Sequence, residues 1–190
     1  MHVKAGGFTL VELMMTLAVA AILAMIGAPA LGNLLARSRE AGAEARIAGT
    51  LRHARTAAVM GNTRIIVCPS DDGRHCRRGY DWQHGWIVAP DQDADGQPDA
   101  GRQIIAALPA MAAGSRIITS AGRRHIVFHP NGNAAGSNAR FTICHARERD
   151  GKSVVVSNSG RVRVADPDPA RLLQCLGALK GCTRSGCTKS

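Results

Sequence analysis

An almost unbroken apolar run from Leu13 to Leu35, close to the start of the chain, constrains the fold more than any other stretch. Over its 23 residues only Thr16 and Asn33 are clearly polar. A helix of that length, at about 1.5 Å per residue, reaches roughly 35 Å, enough to cross the hydrocarbon of a bilayer. The run follows a head of seven residues that carries Lys4 and ends in Gly6-Gly7. An ordinary secretory signal loses its apolar stretch on cleavage, whereas a cut after Gly7 leaves this one on the mature chain. Glu12 stands at its mouth, and a carboxylate inside a membrane helix costs on the order of 2 to 4 kcal/mol and usually has a partner. The amino group that a cut after Gly7 creates on Phe8 is such a partner. Supplied by a neighbouring copy, it sets the register of stacked helices.

The residues Gly7, Phe8, Thr9, Leu10, Val11, Glu12 and Leu13 closely resemble the class III signal of type IV pilins and type II secretion pseudopilins. The resemblance implies that a prepilin peptidase cuts after Gly7 and that Phe8 is methylated. It also implies that the chain waits in the bacterial inner membrane as a single-pass protein with its head in the periplasm. From there it assembles with other pilin subunits into a pilus or pseudopilus, with Glu12 serving assembly. Pro29 falls where many such chains carry a proline, a residue that lacks a backbone donor and can kink a helix.

A chain of 190 residues has room for one globular core beyond this segment. With only six aromatic residues, that core must rest on Val, Ile, Leu and Ala, and aromatic stacking is expected to be scarce. The formal charge is +10, and 20 of the 24 basic residues are Arg, whose forked guanidinium suits phosphate and carboxylate. The acids concentrate between residues 71 and 99, where seven Asp face three Arg. The chain is a basic protein with one acidic lobe.

After Leu35 the pattern turns amphipathic. Ile47, Leu51, Ala54 and Ala58 recur at helical spacing, while Arg37, Arg39, Arg46, Arg52 and Arg55 lie mostly elsewhere, which predicts one helix reaching about Met60 and stopping at Gly61-Asn62. From Thr63 the period shortens to β-type runs at 64–68, 85–89, 103–108, 116–119, 125–129, 140–144, 153–157 and 161–164, separated by turn residues such as Pro130-Asn131-Gly132-Asn133 and Asn158-Ser159-Gly160. These readings give an α+β protein, a long N-terminal helix packed on a small antiparallel β-sandwich. The divisions are a leader at 1–7, a helix at 8–62 with a membrane-spanning part at 8–35, a β-rich head at 63–165, and a basic tail with cysteines at 166–190. Trp82, Gly85-Trp86-Ile87-Val88, Asp91, Asp93, Asp95 and Gly96, then Phe128-His129-Pro130, Gly132 and Phe141-Thr142-Ile143-Cys144, resemble the head of the GspH/FimT family of minor pilins and pseudopilins.

Near the end of the head stands Gly160-Arg161-Val162-Arg163-Val164. Strand alternation predicts Val162 and Val164 on the core face and Arg161 with Arg163 on the other, roughly 6 to 7 Å apart. Joined by Lys152, Arg140 or Arg171, the pair would neutralise several phosphates of a nucleic acid, with affinity falling steeply in salt. The motif resembles the Gly-Arg-x-Arg element of FimT-type minor pilins, which implies non-sequence-specific DNA binding through Gly160, Arg161 and Arg163 during natural transformation. Double-stranded DNA is the expected partner, because stacking aromatics are few. The alternative is a minor pseudopilin of a type II secretion system, at the tip or initiation point of a short filament, whose arginines meet acidic protein surfaces or solvent.

Asp91, Asp93, Asp95-Gly96 and Asp99 carry the first half of a calcium-loop spacing, but Arg102 occupies the position where a bidentate Glu would close it. A solvated acidic turn is the expected reading, with no metal and no cofactor. No Gly-x-Ser-x-Gly, His-Glu-x-x-His or Walker-type loop occurs, so an enzyme is not expected. The even set Cys68, Cys76, Cys144, Cys175, Cys182 and Cys187 lacks zinc spacing and points to disulfides in an oxidising compartment. Among 15 possible pairings, chain proximity favours Cys68 with Cys76 and Cys182 with Cys187, leaving Cys144 to hold the tail through Cys175.

Overall fold

The computed structural model describes residues 10–111, 114–145 and 151–184, with the side chains of 26–41 and 180–184 left out. Gly7, Phe8, Cys187 and the side chain of Cys182 lie outside the described residues, and so does part of the expected 8–35 span. The chain divides into two compact units, Met1–Glu40 and Ala41–Ser190.

The first helix, α1 (Leu10–Met60), has 51 residues and continues through Pro29. Leu10, Val11, Leu13, Met14, Met15, Leu17, Val19, Ile22, Leu23 and Met25 are all more than half exposed. Such a helix is apolar all round and has no core of its own to cover it. Among the described residues, however, no helix is long and apolar enough to cross a membrane.

Within the second unit α1 is amphipathic as the spacing predicts. Ile47, Leu51, Ala54 and Ala58 are buried to 2% exposure or less. The two alanines let the sheets approach the helix closely. The helix stops where Asn62 takes a left-handed φ of 45° and the Thr63 amide donates back to the Ala58 carbonyl at 3.1 Å.

All eight expected strands form, with shifted ends: β1 (Ile65–Pro69), β2 (Gly85–Pro90), β3 (Ala106–Pro109), β4 (Ser115–Thr119), β5 (Ile126–Phe128), β6 (Ala139–His145), β7 (Gly151–Val156) and β8 (Val162–Ala165). They build two four-stranded sheets, β3-β2-β1-β5 and β4-β6-β7-β8, in which every neighbouring pair is antiparallel. The core lies among α1 and the inner faces of both sheets, and Trp82, Trp86, Phe128 and Phe141 sit in it at 1% exposure or less. Aromatic packing among the described residues is as scarce as expected, confined to one ring pair. The Trp82 and Phe141 rings meet edge to face at 4.9 Å, and the Trp86 indole N–H donates to the Thr50 hydroxyl at 3.2 Å.

Each sheet also has part of its outer side covered. On β1 and β2, Ile66, Cys68, Ile87 and Ala89 form a second apolar cluster with Val127, against which Cys76 and Ile104 pack. The acidic lobe is held there by the Cys68–Cys76 disulfide. On the other sheet the cover is a second helix, α2 (Pro169–Arg184), packed on β6 and β4 and tied down by Cys144–Cys175. Both bridges match the expected pairing. The helix itself is new, since the tail was read only as basic and cysteine-bearing.

Candidate functional site

The Gly-Arg-x-Arg segment forms the tip and return strand of the β7–β8 hairpin. Gly160 closes the turn by donating its amide to the Ser157 carbonyl at 2.8 Å, and the Ser157 amide donates to the Arg161 carbonyl at 3.0 Å. Its φ of +75° is open to glycine and costly for other residues. A Cβ at this position would overlap the Gly132 carbonyl oxygen and lie 3.0 Å from Arg55 Nε. Arg55, on α1, donates Nε to that same Gly132 carbonyl at 2.8 Å, and the Ala134 amide donates to the Asn158 carbonyl at 2.8 Å. The hairpin tip, the 130–134 turn and α1 thus meet in one corner.

Sheet register sets which cations share a face. Val162 is opposite Val156, Arg163 opposite Val155 and Val164 opposite Val154, and Val155 is opposite Arg140. Cross-strand partners point to the same side, so Arg140, Val155 and Arg163 form one row, with the two arginines about 10 Å apart across two strand spacings. The row lies on the face opposite the core. Lys152 is brought elsewhere, since it pairs with the buried Ile143 in the same alternation as Val154 and forms an ion pair with Asp166 at 3.0 Å. Arg171 sits half-buried in the first turn of α2. One expectation fails: Val164 is not in the core but 44% exposed. Because β8 is a sheet edge, the core ends before it reaches Val164, while Val162 still packs on the core.

Ion pairs neutralise only some of the head's cations. Arg64, Arg77, Arg116 and Lys152 make ion pairs with Asp91, Asp71, Asp81 and Asp166. Among the described residues Arg52, Arg55, Arg140, Arg161 and Arg163 make none. Arg52, Arg161 and Arg163 are exposed to solvent. An uncompensated cationic surface of this kind attracts polyanions. Arg55 was missed at the sequence level, where it reads as one more polar-face residue of an amphipathic helix. The α2 helix did have a signal: Asp168 before Pro169, then Leu172, Cys175, Leu176 and Leu179 at helical spacing. Asp168 caps it by accepting the Ala170 and Arg171 amides at 3.0 and 3.3 Å.

The acidic loop brings carboxylate oxygens of Asp91, Asp93 and Asp99 within 4.8 Å of one another. Asp91, fully buried, is already engaged by Arg64 Nε at 3.1 Å and by the Gly96 amide at 3.2 Å. Arg102 donates to the Gln92 side-chain oxygen Oε1 at 3.4 Å instead of supplying an acid. Beside this loop, burial pushes the His125 imidazole below its ordinary pKa near 6.5, against the raising field of Asp91 and with help from Arg64, Arg123 and Arg124. The unfolded chain therefore binds a proton that the fold resists, so this contribution to stability is complete above pH 6.5 and fades as pH falls through the folded value. His125→Asn is expected to flatten the loss of urea midpoint between pH 7.5 and 5.

A helix with an exposed apolar N-terminal stretch and a C-terminal half packed in a two-sheet head is the anatomy of the pilin class, which comprises the subunits of type IV pili and type II secretion pseudopili. A profile of the family "Type II transport protein GspH" matches residues 43–160, and one of the prokaryotic N-terminal methylation motif matches residues 3–28. The chain belongs to the GspH family, as the sequence motifs implied, and its partners include other subunits of a filament. The family consists of structural subunits, not enzymes. Among solved structures, the type IV minor pilin FimU of Pseudomonas aeruginosa PAO1 shares the fold at TM-score 0.55 and 20% identity, over 72% of this chain and 94% of that one. The minor pseudopilin EpsH of the Vibrio cholerae type 2 secretion system aligns over 68% of this chain and 98% of that one, at TM-score 0.49 and 10% identity, too weakly to carry an argument. No curated protein matches the sequence.

Proposed function

We propose that the chain is a minor pilin of a type IV pilus that binds double-stranded DNA without sequence preference, through Arg161, Arg163 and Arg140, for uptake in natural transformation. The observation that carries this reading is the register that sets Arg140 and Arg163 in one row on the face away from the core, with no acid paired to either among the described residues. Contacts made to phosphates carry no base readout, so binding through them is independent of sequence. A single-strand platform is disfavoured, because among the described residues Tyr80 is the only exposed aromatic and Arg124 covers it at 5.7 Å. In the same reading, residues 1–7 are removed by a prepilin peptidase, Phe8 is methylated, and 8–35 anchor the chain in the inner membrane before assembly. Glu12 then pairs with a neighbour's terminus. The head lies in the periplasm, in keeping with its two disulfides.

The test is a gel shift of random-sequence duplex DNA by the full chain in detergent micelles, across a salt series. Arg161→Gln with Arg163→Gln is expected to lower the salt slope by about 1.8 and to weaken binding roughly 60-fold at 0.1 M salt, at about 0.9 per phosphate released. Unchanged binding by the double variant would remove the site. A second reading is favoured by the family profile itself, whose description is of type II transport. A strain lacking the chain that keeps exoprotein secretion and loses transformation supports the pilus; the opposite pair of phenotypes supports the pseudopilus.

A further inference from the structure

The phosphate track does not end on the sheet. We propose that Arg55 of α1 is a further phosphate contact, which carries the anion surface around the hairpin tip from β8 onto the helix; this rests on the DNA reading above.

Three observations place it there. Arg55 Nε lies 3.0 Å from the position of a Cβ on Gly160, so its guanidinium abuts the residue directly before Arg161. Nε is committed to the Gly132 carbonyl at 2.8 Å, which fixes the plane of the group. The two terminal nitrogens make no other hydrogen bond or ion pair among the described residues, and their shared edge is the one that grips a phosphate with two parallel bonds. A guanidinium held in place by the protein loses less side-chain freedom on binding than a free one. The turn beside it adds donors. Asn131 and Asn133 use their side-chain oxygens to cap the turn, at 3.1 and 3.2 Å, which leaves their amide N–H groups to the adjoining groove of about 440 Å³. Among the described residues no acid pairs with Arg55, so the corner is purely cationic on this side.

The experiment compares Arg55→Gln, Arg55→Lys and the Arg161→Gln/Arg163→Gln variant, each as the full chain in detergent micelles, for shifts of random-sequence duplex DNA between 50 and 200 mM salt. Arg55→Gln is expected to reduce the salt slope by about 0.9 and binding roughly eightfold at 0.1 M salt, as the release of one counterion requires. Arg55→Lys, which keeps the charge and loses the bidentate edge, is expected to restore the slope. The slope separates contact from scaffolding, because partial unfolding lowers the competent fraction without altering the salt dependence of the remainder. If Arg55→Gln leaves the slope at the wild-type value while the double variant lowers it, Arg55 is only a strut and the inference falls alone. If neither variant alters binding, the DNA reading falls and takes the inference with it.

Discussion

Gly160→Ala is expected to lower the thermal midpoint by about 10 °C and to abolish DNA binding, an effect out of proportion to one added methyl. Two costs add. At a φ of +75° an alanine sits in left-handed backbone space, worth about 1 to 2 kcal/mol. The new Cβ also meets the Gly132 carbonyl oxygen, a backbone atom that can retreat only by moving the 130–134 turn. That retreat breaks the Arg55 bond to Gly132 and the Ala134 bond to Asn158. A total of about 3 to 4 kcal/mol is a large part of the stability of an ordinary domain and corresponds to roughly 2 to 4 °C per kcal/mol at this size. Differential scanning calorimetry on the full chain reads it directly. A midpoint within 2 °C or so of wild type would mean that the turn yields freely. The Arg161→Gln/Arg163→Gln variant, by contrast, is expected to leave the midpoint in place while binding falls, so stability and charge separate as causes.

The second large effect belongs to the bridge that holds α2. Cys144 and Cys175 are both fully buried, and their disulfide closes a loop with a sequence separation of 31, against 8 for Cys68 and Cys76. On loop-closure entropy the longer bridge stabilises by about 3 to 4 kcal/mol and the shorter by about 2.5. Replacing Cys144 and Cys175 with Ala is expected to cost about 10 °C in midpoint and to make the chain cleavable by protease just after β8. The reason for the local effect lies in what α2 covers. Thr142 and Ser153 are fully buried polar residues on the outer side of the sheet, and Leu172 packs so closely over Gly151 that a Cβ there would lie 2.9 Å from its methyl carbon. Without the bridge those groups open to water. If proteolysis fragments and midpoint match the wild type, α2 is held by packing alone.

The parts of this fold that local pattern controls could be read from the sequence. The 3.6-residue spacing of Ile47, Leu51, Ala54 and Ala58 placed the buried helix face, and the strands followed from β-type runs between turns. The parts controlled by non-local neighbours could not. Alternation put Val162 and Val164 on one side correctly, but whether that side is covered depends on β8 being an edge, which no residue within β8 records. Lys152 looked like a partner for Arg163 because it is basic and close in sequence; the register turns it to the other face, and Asp166 takes its charge. Arg55 is 77 residues from the carbonyl it holds, so its place beside Gly160 is invisible until the chain has folded.

The meeting of Arg55, Gly132 and Gly160 has a mechanical side. A hairpin at the rim of a sheet, pulled at its tip, ordinarily unzips one hydrogen bond at a time. This tip is bonded to the turn after β5, in the other sheet, and that turn is in its own right bonded to α1. A force applied there is shared with the 130–134 turn, and part of it passes through that turn into α1. A polymer held at this corner would therefore haul on α1 instead of peeling β8 away, which suits a subunit of a fibre under tension.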